Sequence, residues 1–124
     1  MKQRILLLIL LVLHVQSQDT YDKKYDYFDI GPLIENDRIL LNFTRCFLDQ
    51  GPCTPDAKSF KKIIPEALST GCGKCTPKQK HLIKTVIRAL MERHPQSWES
   101  LVDRFDKEHK HTDTFNNFLN EEDR

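Results

Sequence analysis

Cysteine and histidine are the residue types here whose spacing bears on chemistry. Cys46, Cys53, Cys72 and Cys75 are the cysteines, and only Gly73 and Lys74 separate the last two. A Cys-x-x-Cys turn serves as half of a zinc site, as a redox pair or as a small disulfide loop. A redox pair would sit at a strand-to-helix junction, whereas the apolar spacing on both sides of this turn is helical. His109-x-His111, with Asp113 beyond, is the other cluster of ligand-type side chains. A spacing of two does not place both imidazoles on one helical face, and the charged surroundings mark a solvated segment. No nucleophile elbow, phosphate loop or metal-binding helix motif is present, so the chain is read as not an enzyme, with no cofactor and no metal site.

The compartment decides how the cysteines are read. Lys2 and Arg4 precede an apolar run from Ile5 to Leu13, and small side chains, Val15 and Ser17, stand three and one positions before Gln18. This is the pattern of a secretory signal peptide over residues 1–17, with cleavage after Ser17. The run is far short of the roughly 20 residues that span a bilayer, so no stable membrane insertion is expected. Residues 18–124 then form a single domain, exported from the cell. Cleavage removes two of the 19 bases and none of the 18 acids, leaving a nearly neutral remainder. Such a balance offers no broad field for nucleic acid or an anionic membrane. Export favours disulfides. Four cysteines allow three pairings; proximity favours neighbours in the chain, while loop entropy does not, so the crossed pairings stay open at this point.

The elements around the cysteines read as helices. Residues 18–30 are rich in Tyr, Asp and Lys without a clear period and read as an extended arm, with Tyr25, Tyr27, Phe28 and Ile30 available to cover a packed surface. Five stretches with apolar residues every three or four positions follow, and none alternates like a strand. The first, about 36–49, is apolar nearly all round and ends at Gln50-Gly51-Pro52. Thr54-Pro55 starts the second, which Pro65 should kink or split. Thr76-Pro77-Lys78-Gln79 is a capping box ahead of Leu82, Ile83, Val86, Ile87, Leu90 and Met91, in a helix ending near His94. Pro95 opens a fourth helix bearing Trp98, Leu101, Val102 and Phe105, and Phe115, Phe118 and Leu119 mark a weaker fifth. The charged linker from Asp106 to Asp113 and the acidic residues after Leu119 read as solvated, as do the faces bearing Lys58, Lys61, Lys62, Lys74, Lys78, Lys80 and Lys84.

The pattern Cys46-x6-Cys53-x18-Cys72-x2-Cys75, with Tyr25-Asp26 upstream and Asn36-Asp37-Arg38 entering the first strong helix, resembles the insect chemosensory proteins (the OS-D, or A10-like, family). The likeness runs on through Gly51-Pro52-Cys53-Thr54-Pro55, Leu68, Lys74, Thr76, Gln79-Lys80 and Pro95-x-x-Trp98. The resemblance implies an all-α fold: a compact bundle of five to six amphipathic helices around a hydrophobic channel, each cysteine paired with its sequence neighbour. It also implies a secreted, soluble, monomeric carrier of semiochemicals, fatty acids or long-chain alcohols, with a membrane receptor as a candidate partner. In that family an aromatic residue three positions before the first cysteine lines the channel, here Phe43 in place of the more usual Tyr, and the tryptophan matching Trp98 lies near its mouth. Members of this kind are also linked to growth, moulting and defence, so the alternative is a secreted interaction or developmental factor without an obligatory lipid cargo.

A carrier needs side chains that converge without filling the space between helices. The candidates are Leu40, Phe43, Ile64, Leu68, Val86, Leu90, Trp98 and Phe105, set against the plain alternative that such stripes simply pack a core. Asn42-Phe43-Thr44 fits the glycosylation sequon, but it falls in the helix expected to be most buried.

Overall fold

The computed structural model describes residues 20–122, so the expected leader and its cleavage point lie outside the described residues. A 3-10 turn, Lys23–Tyr27, is followed by six α-helices: α1 Gly31–Glu35, α2 Asp37–Phe47, α3 Pro55–Thr70, α4 Pro77–Arg93, α5 Pro95–Phe105 and α6 Thr112–Asn120. Among the described residues there is no strand, and no helix is long and apolar enough to cross a membrane. The architecture is an all-α bundle.

Local chemistry sets the helix limits. The Asn36 side chain accepts from the Arg38 N–H at the start of α2, and the Thr54 hydroxyl accepts from Ala57 N–H at the start of α3. Thr76 and Gln79 complete the reciprocal capping box of α4, with Pro77 in its first turn. The α3 helix stops at Gly71, whose φ of 61° is a left-handed conformation open to glycine at little cost. Pro95, after His94, ends α4 and opens α5 in one step.

Both disulfides join sequence neighbours, Cys46–Cys53 and Cys72–Cys75, with Cα separations of 5.0 and 5.1 Å. One ties the last turn of α2 to the loop before α3, and the other closes the turn between α3 and α4. Two small buried clusters form the core. Leu33, Leu40 and Leu90 make one, flanked by Phe28, Val86 and Trp98; Cys72, Cys75 and Phe118 make the other, flanked by Tyr21, Ile83 and Phe115.

Several details depart from expectation. Pro65 does not split α3, which continues through it with the exposed ring toward solvent. The segment before α1 is not an extended arm. Its 3-10 turn is strapped down by Tyr21 N–H to the Lys74 carbonyl (2.8 Å), Gln79 Nε2 to the Asp22 carbonyl (3.0 Å) and Thr76 Oγ1 to Asp26 Oδ1 (2.6 Å). The five-residue helix α1 is too short for apolar periodicity to reveal. Lys84 is not on an exposed face: 1% of its surface is accessible. Its ammonium donates to the Glu121 carbonyl at 2.8 Å and lies 5.1 Å from the centre of the Phe118 ring. Lys80 pairs with the Glu121 carboxylate and Arg88 donates to the Leu119 carbonyl at 2.7 Å. Three cations at four-residue intervals on α4 thus receive the C-terminal end of α6, where unpaired carbonyls and the helix dipole favour positive charge. Asn42 is exposed rather than buried, because it lies on the outer side of α2.

Candidate functional site: an apolar cavity

The helices surround a partly open cavity of about 410 Å³ that borders both core clusters. Its size is within the range of small-molecule sites, and its wall is overwhelmingly hydrocarbon and aromatic. The amphipathic stripes converge on it because each helix turns its apolar face inward, yet bulky rings and kept separations prevent the stripes from meeting.

All eight side chains singled out from the sequence stand on this wall. Leu40 and Phe43 come from α2, Ile64 and Leu68 from α3, Val86 and Leu90 from α4, and Trp98 and Phe105 from α5. Leu40 and Leu90 are almost wholly buried and belong equally to the core, whereas Phe43, Trp98 and Phe105 are half-buried.

Further wall residues stand outside those eight, some on the N-terminal segment that carried no clear period and some on helices that kept one. Tyr21, Tyr25 and Phe28 of the N-terminal strap line the cavity, as do Phe60 on α3 and Phe115 and Phe118 on α6. Rings meet edge to face in a series, Tyr25–Phe60 (5.4 Å between centroids), Phe60–Phe28 (4.9 Å), Phe28–Phe43 (6.2 Å) and Phe43–Phe47 (6.2 Å). Trp98 stacks on Phe115 at 5.3 Å, which brings α6 against α5. The aromatic content of residues 21–28 was the available signal, but only the docking of the 3-10 turn decides which rings face inward. Tyr25, Phe28 and Ile30 do so, while Tyr27 is 87% exposed.

The polar groups near the wall are few and mostly engaged. The buried Thr44 hydroxyl donates to the Leu40 carbonyl at 3.0 Å, and the buried Gln79 amide serves the capping box and the strap. The Tyr21 hydroxyl donates to Glu66 at 2.8 Å. Partial burial, then the hydrogen bond to Glu66 and its negative charge, push the phenol well above its ordinary 10.0. The Tyr21 hydroxyl and then Lys74 hold the Glu66 carboxyl below its usual 4.5. Outside the cavity, Asp49 receives Lys61 from α3 and Arg104 from α5, and the Lys61 hydrogen bond chiefly holds its carboxyl below the usual carboxylate pKa. Asp106 is the exception to the expectation of a solvated linker: only 8% exposed, it borders the cavity, and its carboxylate accepts from the backbone N–H of Lys110 (2.9 Å) and of His111 (3.2 Å).

The profile of the insect pheromone-binding family A10/OS-D matches residues 21–113. The chain belongs to this family. Ejaculatory bulb-specific protein 3 of Drosophila melanogaster is 37% identical over 106 residues, covering 86% of this chain and 84% of that protein. Allergen Tha p 1 of Thaumetopoea pityocampa is 39% identical over 101 residues, covering 82% and 80%. Among solved structures, a chemosensory protein in complex with bromo-dodecanol superposes with a TM-score of 0.70 at 26% identity, covering 79% of this chain and 99% of that one. The antennal chemosensory protein A6 from the moth Mamestra brassicae gives a TM-score of 0.64 at 26% identity, covering 80% and 92%. The neighbour-to-neighbour disulfides and the helical bundle of this A10/OS-D member agree with the fold that the resemblance implied.

Proposed function

We propose that this A10/OS-D protein is an exported carrier that holds one small hydrophobic molecule in its cavity and performs no catalysis. In this reading residues 1–17 are a leader and 18–124 the carrier domain. Leu40, Phe43, Ile64, Leu68, Val86, Leu90, Trp98 and Phe105 form the contact surface, joined by Phe28, Phe60 and Phe115. The observation that carries the proposal is the apolar cavity of about 410 Å³. The bromo-dodecanol complex of a structural relative adds support. Transfer of a hydrocarbon chain from water to such a wall is favourable by roughly 25 cal/mol for each Å² of apolar surface removed from solvent. Affinity follows from chain length and shape, with little directional bonding.

The test is displacement of a fluorescent apolar probe, N-phenyl-1-naphthylamine, from the mature protein by alcohols of increasing chain length. Saturable probe binding, competed more strongly as the chain lengthens, is the expected result. Trp98 is the sole tryptophan, and its emission should shift as the cavity fills. A protein that binds neither probe nor alcohol would leave the bundle as a scaffold for protein contacts and end the carrier reading.

A further inference from the structure

We infer that the cavity selects guests whose polar end is uncharged, a hydroxyl above all, and discriminates against the carboxylate anion of the same chain. This rests on the carrier reading and narrows it to a ligand class. Among the described residues no Lys or Arg borders the cavity. The fixed charge on its wall is the Asp106 carboxylate, locked in place by the backbone N–H groups of Lys110 and His111. An anionic head group brought inside therefore touches no cation, since the buried Lys84 ammonium lies behind Phe118 and is engaged by the Glu121 carbonyl, and it meets one like charge, so its desolvation is poorly offset.

A neutral head group meets a different environment. Tyr21, Thr44 and Gln79 already spend their hydrogen-bonding groups within the protein. Apart from the Tyr25 hydroxyl and the Trp98 indole, the other polar wall side chains fall in one stretch across the turn between α5 and α6 and the start of α6: the buried Asp106 and the more exposed His109, Thr112 and Asn116. Asp106 keeps acceptor capacity beyond its two backbone partners, and the Asn116 amide both donates and accepts. A hydroxyl both donates and accepts, so it satisfies this stretch without an unpaired charge. The exposed lysines, among them Lys58, Lys62, Lys74 and Lys78, stay on the outer surface and do not follow a guest inward.

The titratable side chains on the wall are Asp106, His109, Tyr21 and Tyr25; Lys107, Glu108, Lys110, His111 and Asp113 flank the polar turn. At about pH 8.5 a fatty acid is ionised. Competition of 1-dodecanol and dodecanoate against N-phenyl-1-naphthylamine at that pH should show the alcohol at least about tenfold more potent, the scale on which an uncompensated charge is felt. Lowering the pH to about 4.5 should bring the acid to within about threefold of the alcohol, because the protonated acid now enters. His109→Ala should keep that pH response, which assigns it to the ligand. Asp106→Asn should narrow the gap at high pH. If Asp106→Asn fails to fold, the pH comparison on the unaltered protein still decides. Equal potency of dodecanoate and dodecanol at about pH 8.5 overturns the inference while leaving the carrier intact. Failure of probe, alcohol and acid alike to bind overturns both.

Discussion

Lys84 shows how much a single side chain contributes when its charged end finds a partner in the interior. Its stem is covered, its ammonium caps the end of α6 through the Glu121 carbonyl, and the Phe118 ring lies beside it. Lys84→Met retains most of the volume and loses the charged hydrogen bond, so unfolding in urea should show a loss of about 1–2 kcal/mol. Lys84→Ala also opens a void and should lose about twice as much; an unchanged midpoint in both variants would mean that α6 docks without this contact. Tyr21 and Glu66 make a second residue-scale prediction. Glu66, held below its usual 4.5, contributes stability above the unfolded value that is lost as pH falls through the folded one. Tyr21, raised above 10.0, contributes below that value and loses it only in stronger alkali. The contact is therefore complete from about pH 5 to 9. Ultraviolet titration of the three tyrosines should show one ionising late, and Glu66→Gln should bring it back toward the others.

At the scale of elements, α3 carries an internal conflict. Pro65 removes one backbone hydrogen bond from a helix of 16 residues, yet Ile64 and Leu68 on either side of it line the cavity. Pro65→Ala restores the missing donor and gives up some restriction of the unfolded chain, for a net gain of about 2 kcal/mol in unfolding free energy. The same change favours a straighter α3 and a narrower gap, so probe affinity should fall as stability rises. Thermal melting and probe titration on one variant check both; a rise in both would separate Pro65 from the cavity. The α6 helix illustrates an element that its own periodicity marked only faintly. Its nine residues carry three apolar side chains on one stripe, and it is held by Trp98–Phe115 stacking and by three cations from α4.

The whole molecule is organised around space that the side chains do not fill. At about 24 cal/mol per Å³, an empty cavity of 410 Å³ would cost about 10 kcal/mol, as much as the entire stability of an ordinary domain. Solvent, contraction of the bundle or a guest must offset that cost, and a guest does so with the most apolar contact. A ligand present at a hundredfold over its Kd should add about 2.7 kcal/mol to unfolding free energy. Differential scanning with 1-dodecanol should show this as a clear rise in Tm, and no shift at saturation would contradict occupancy of the folded bundle. The short disulfide loops fit this design: they close two helix connections locally and leave the helices around the cavity without a covalent tie across it.

Capping and turn residues such as Thr54, Thr76, Gln79 and Pro95 act within one turn of the chain, so they were legible in the sequence, as were the eight inward-facing positions on α2 to α5 that keep a helical period. The cysteine spacing carried the family. Other features depend on groups far apart in the chain. Tyr25 faces inward and Tyr27 outward because Thr76 and Gln79 strap the 3-10 turn in one register. Lys84 is buried because the end of α6 folds over it. Periodicity reports which face of a helix is apolar, but whether opposing faces touch or leave a cavity is decided by how far apart the whole bundle holds them.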